Sequence, residues 1–127
     1  MLDLTKLAEL LGRNEDFVSS TKYFDGSIQL NFGKEKIWIK AFMGRVILVT
    51  QEPPPFGFTF ALEGPPAEWR WALGGPKNRF REALMTGRLA VQGNRIEFSR
   101  IGKAVHGLSE VLMQMVQEGS GRLGERE

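Results

Sequence analysis

His106 is the one imidazole in the chain, so acid–base or nucleophilic chemistry near neutral pH rests on a single candidate base. Ser99, Ser109 and Asp25 could complete a hydrolytic set with it, but neither serine lies in a nucleophile-elbow sequence and no capping sequence accompanies them. The absence of cysteine removes thiolate nucleophiles, disulfides and every zinc site built on sulfur. One histidine likewise excludes a His-cluster metal site within one chain. Gly102-Lys103-Ala104 lacks both the earlier glycine and the Ser/Thr of a phosphate-binding loop, and no G-x-G-x-x-G occurs. The residues therefore predict a protein that is not an enzyme and holds no metal or cofactor.

Charge is the second chemical signal. The segment 70–103 carries eight basic residues, Arg70, Lys77, Arg79, Arg81, Arg88, Arg95, Arg100 and Lys103, against Glu82 and Glu97. Its local charge is +6 in a chain of net +2, which leaves −4 for the remainder. Such asymmetry favours an anionic partner, such as a membrane surface met transiently. Trp69, Trp71 and Phe80 are interleaved with the block, a pattern also used for nucleic acid. That partner is disfavoured because these aromatics fall on stripes that a sheet would bury, and no nucleic-acid-binding motif is present.

The elements that must carry these groups can be read from periodicity. With 127 residues, 42% hydrophobic and 25% charged, the chain suits one packed domain over residues 1–118. Leu4, Leu7, Ala8 and Leu11 predict a helix between a capping Asp3 and a stop at Gly12. Ile28, Leu30 and Phe32 alternate with polar residues, predicting a strand with one buried face. Residues 36–42 and 45–50 predict a hairpin through Met43-Gly44. Val46 and Leu48 would face one side and Ile47 and Val49 the other, an arrangement expected of a strand inside the sheet.

Pro53-Pro54-Pro55 breaks the run, and Phe58, Phe60 and Leu62 predict a fourth strand. Two short helices in tandem follow: one carries Trp69, Ala72 and Leu73, and the other restarts at Pro76 and carries Phe80, Ala83 and Leu84. Residues 88–92 predict a fifth strand. Ile96 and Ile101 suggest a short helix, and Ala104, Leu108, Val111, Leu112 and Met115 a longer one beyond a bend at Gly102. Residues 119–127 are glycine-rich and charged, the composition of a flexible tail. The acid in Met1-Leu2-Asp3-Leu4 stands where a secretory signal carries positive charge. The longest aliphatic run, Val46 to Val49, is far below the roughly 20 residues of a membrane span. A soluble, cytoplasmic protein is expected.

Trp71-Ala72-Leu73-Gly74-Gly75-Pro76, followed by residues 80–94 with Ala83-Leu84-Met85-Thr86-Gly87-Arg88-Leu89 and Gly93-Asn94, resembles the signature region of the sterol carrier protein 2 (SCP-2) sterol-binding family. The resemblance is strongest over residues 58–94 and extends by pattern over 24–115. It implies an α+β fold, a five-stranded mixed β-sheet with helices packed on one face. It also implies an apolar cavity between sheet and helices that accepts a fatty acyl chain, a fatty acyl-CoA or a sterol-like ligand.

A carrier of this kind needs an apolar pocket, because each methylene withdrawn from water contributes about 0.8 kcal/mol. Candidate lining residues are Phe58, Phe60 and Leu62 of the fourth strand, Trp71, Phe80, Leu84 and Met85 of the tandem helices, and Leu108, Leu112 and Met115 of the last helix. Arg79, Arg81 and Arg88 flank the apolar tandem segment and could meet a headgroup or an anionic surface. The same residues also suit a filled core. The alternative function is therefore an accessory module of this fold, serving a lipid- or quinone-handling complex. The sequence leaves the oligomeric state open, a homodimer included.

Overall fold

The computed structural model describes residues 2–119. The first helix, α1 (Leu4–Arg13), starts where the Asp3 carboxylate accepts the Lys6 N–H at 3.1 Å. It runs past Gly12, and α2 (Glu15–Ser20) follows without a loop. Asn14 serves both helices. Its N–H donates to the Leu11 carbonyl, closing α1, and its side chain accepts the Phe17 N–H at 2.9 Å, opening α2. No periodicity announces α2, because one apolar side chain, Phe17, secures it, which is too few for a period.

The remaining elements are β1 (Asp25–Asn31), β2 (Lys36–Phe42), β3 (Arg45–Thr50), β4 (Phe60–Glu63), α3 (Pro66–Leu73), α4 (Phe80–Met85), β5 (Ala90–Gly93), α5 (Arg95–Arg100) and α6 (Gly102–Gln117). The strands form one sheet in the order β3-β2-β1-β4-β5. β1 and β4 run parallel and the other neighbours antiparallel, so the fold is the α+β, five-stranded mixed sheet expected. Cross-strand register puts Ile28 beside Ile39 and Phe60, and Leu30 beside Ile37 and Leu62. These six side chains share one face and have no accessible surface. Trp69 of α3 and Leu108, Leu112 and Met115 of α6 join them in the core. The Trp69 indole N–H donates to the Asn31 carbonyl at 3.0 Å, tying α3 to the end of β1.

Three expectations need correction. β3 lies at the edge of the sheet, not inside it. A bulge inserts Ile47 between Val46, opposite Ala41, and Leu48, opposite Lys40. The simple alternation is broken, so Val46 and Val49 both pack against the core while Ile47 and Leu48 are exposed. β1 is buried on both faces, not one, because the segment 51–59 crosses the outer face of the sheet. There the Ser27 hydroxyl donates to the Gly57 carbonyl at 2.8 Å, and the Ser27 N–H donates to the Thr59 hydroxyl at 3.0 Å. This clasp also delays the start of β4 to Phe60. Finally, Pro76 begins no helix: residues 74–79 form a turn and α4 opens at Phe80. Of the tail expected over 119–127, residues 120–127 lie outside the described part.

Gly107 sets the approach of α6 to α2. A side chain there would collide with the Asn14 carboxamide and close on Asp16, displacing the cap of α2. Gly107→Val is expected to cost about 1–3 kcal/mol of stability, the usual penalty of overpacking, read as a lower midpoint in urea unfolding.

Candidate functional site

The tandem helices are positioned by their connecting turn. Asn78 is the pivot: its amide nitrogen donates to the Ser109 hydroxyl at 2.9 Å, and its side-chain oxygen accepts the Phe80 N–H at 2.8 Å. Ser109, fully buried in α6, passes the bond on to the His106 carbonyl at 2.6 Å. The Arg79 N–H donates to the Ala72 carbonyl at 2.8 Å, closing the turn on α3. Gly87 then reverses the chain with φ +80°, a left-handed value suited to glycine, and β5 begins three residues later.

The result is an open cleft of about 890 Å³ between α4, β5, α5 and the start of α6. Its apolar surface comes from Phe80, Leu84 and Met85 of α4, Leu89 and Val91 at β5, Phe98 of α5 and Val105 of α6. Phe98 stands edge-on to Phe60, ring centres 5.5 Å apart at 80°, so the wall of the cleft rests directly on the sheet core. Arg81, Arg95, Lys103 and His106 add a basic rim, with Asp16 the one carboxylate among the lining residues. The Arg95 guanidinium donates to the Val91 carbonyl at 3.2 Å. His106 Nε2 lies 3.0 Å from the Glu110 carboxylate. No group of three or more metal-ligating side chains occurs among the described residues.

The cleft gathers four of the thirteen residues singled out from the sequence: Phe80, Leu84, Met85 and Arg81. Phe60, Leu62, Leu108, Leu112 and Met115 are at most 1% exposed and belong to the buried core. Phe58 lies in the segment before β4 and is exposed. Trp71 sits apart from the cleft beneath two cations, Arg88 at 3.9 Å and Arg79 at 5.2 Å from its ring centre. Arg88 is further held by Glu68 at 3.0 Å. The lining residues not anticipated include Leu89, Val91, Phe98, Val105, Arg95 and Lys103. Phe98, Gly102 and Val105 have helical spacing, a stripe that continues across the α5–α6 junction and was readable in principle.

Comparisons with known proteins agree with this architecture. No family model matches the chain, and no curated protein matches it. Among solved structures, a crystal structure of sterol carrier protein 2 superposes with a TM-score of 0.72 at 19% identity, covering 87% of this chain and 93% of that one. The solution structure of a conserved hypothetical protein from Thermus thermophilus, named a candidate sterol carrier protein, gives 0.67 at 19% identity, covering 98% and 94%. The apo form of sterol carrier protein 2 from Yarrowia lipolytica gives 0.55 at 17% identity, covering 85% and 87%. The class defined by the fold is thus α+β with a mixed five-stranded sheet. Within that class, the chain has the fold of the sterol carrier protein 2 structures.

Asn78→Ala removes the side chain that joins the turn to α6 and to α4. It is expected to lower stability by about 1–3 kcal/mol, because the buried Ser109 hydroxyl loses its donor, with the loss read in denaturant unfolding.

Proposed function

We propose that the protein binds and transfers a lipid without acting on it chemically, and that the cargo's apolar chain lies in the cleft between α4, β5, α5 and α6. The observation that carries this reading is the cleft itself: at about 890 Å³ it is large enough for a lipid-sized ligand and is walled by seven large apolar side chains. Burying a chain there is favourable at about 0.8 kcal/mol per methylene, before the cost of ordering it. A fatty acyl chain, a fatty acyl-CoA or a sterol-like molecule meets the requirement. The nearby basic side chains of Arg81 and Arg95 suit cargo with an anionic end. The likeness in fold to sterol carrier protein 2 supports the same reading. In this reading the carrier works in the cytoplasm and moves cargo through solution. Among the described residues no helix is long and apolar enough to cross a membrane.

A second reading is favoured by the burial of Phe60, Leu62, Leu108, Leu112 and Met115 in the core. An accessory module of this fold, with its interior filled, would contact a lipid- or quinone-handling complex and carry nothing.

Displacement of a fluorescent fatty acid separates the two: a carrier takes up the probe and yields copurifying lipid in native mass spectrometry, and a filled module does neither. Leu84→Arg puts a cation in the apolar wall of the cleft and is expected to weaken uptake about tenfold or more while leaving the circular dichroism unchanged. Unchanged uptake in the folded variant would remove the cleft from the binding reaction.

A further inference from the structure

We propose that the rim of the cleft is a docking surface for a lipid bilayer bearing anionic headgroups, with Met85 and Ile96 as its two apolar contacts. Both side chains are 76% exposed, and they stand on different elements that border the same opening. Met85 closes α4 and lines the cleft, and Ile96 stands in the first turn of α5 between the cleft-lining Arg95 and Phe98. A single exposed apolar side chain is ordinary, but Met85 in the cleft wall and Ile96, next in sequence to the cleft-lining Arg95, put two such side chains on the helices that border the cleft, among cations.

The cations there differ from their neighbours. Arg88 is engaged by Glu68 and Arg100 by Glu97, whereas Arg81, Arg95 and Lys103 form no ion pair with a carboxylate among the described residues. Asp16 is the one acid among the lining residues, with Glu82 beside Arg81 on α4 and Glu110 held to His106 on α6, so the lining itself sets three cations against one carboxylate. Positive charge beside protruding Met and Ile matches the interface of an anionic membrane, where cations meet headgroups and apolar side chains enter the acyl boundary. A polynucleotide fits less well, because it needs aromatic faces to stack on. Trp71 is already occupied by Arg79 and Arg88, and Phe80 is 4% exposed. The docking surface goes beyond the carrier reading and does not require it, since the rim is present whether or not the cleft holds cargo.

Flotation of the whole chain with vesicles tests it, using phosphatidylcholine alone and phosphatidylcholine mixed with phosphatidylglycerol. The protein is expected to float with the mixed vesicles, to ignore the neutral ones and to be released by salt. The double variant Met85→Asp, Ile96→Asp should lower binding about tenfold, because it removes both apolar contacts and adds two like-charged groups facing the headgroups. Tyr23→Asp, at a side chain equally exposed elsewhere, should leave binding unchanged. Equal binding by the double variant and the parent would overturn the proposal. So would equal binding to the two vesicle types, or no binding to either, and a salt-sensitive shift of single-stranded DNA in that case would point to a polynucleotide instead. The assay needs no cargo, so vesicle binding that persists while fatty-acid uptake fails would sink the carrier reading alone.

Discussion

The parallel pairing of β4 with β1 is the contact on which the rest of the structure depends. It aligns Phe60 with Ile28 and Leu62 with Leu30, and so completes the apolar face against which the helices pack. A parallel neighbour cannot be reached by a hairpin, and the chain must cross the sheet to arrive there. The crossing is made by the proline-containing segment on the outer face, which Ser27 holds through its bonds to Gly57 and Thr59. Once β4 is in place β5 pairs beside it, and α3 and α4, between the two strands, are held close to their connection.

The cleft follows from where that connection ends. α4 has only six residues, and β5 is a four-residue edge strand, so neither covers the space between them and α5. Phe98 separates the cleft from the core by leaning on Phe60. Polar anchoring is concentrated on the far side of α4, at Asn78 and Ser109. Phe80 and Ala83 secure the start and middle of the helix in the core, and its C-terminal end, at Leu84 and Met85, is left to wall the cleft. Trp71, with a cation over its ring at 3.9 Å, lies apart from the cleft.

Much of the architecture was legible in periodicity because the core is built on regular stripes. Ile28 with Leu30, Phe60 with Leu62, and Ala104 with Leu108, Val111, Leu112 and Met115 mark their elements directly. The order of the elements and the sterol carrier protein 2 resemblance led to the same fold. Illegible features were those decided by tertiary contact. A bulge at Ile47 reverses the face of two residues without any glycine or proline to announce it. α2 depends on Asn14 acting in two caps, and β1 becomes buried on its second face through a loop distant in sequence. The site was harder still. An apolar residue at helical spacing has the same sequence signature whether it fills a core, as Leu112 does, or walls an open cleft, as Leu84 does.

The bulge in β3 has a consequence for association. A regular edge strand presents evenly spaced N–H and C=O groups, which another chain can extend into a longer ladder or a fibril. Here the extra residue at Ile47 interrupts that spacing near the middle of a six-residue strand. A foreign strand could match only a few bonds on either side before falling out of step. Isoleucine and leucine can therefore stand at an open sheet margin without the margin becoming a template for runaway self-assembly.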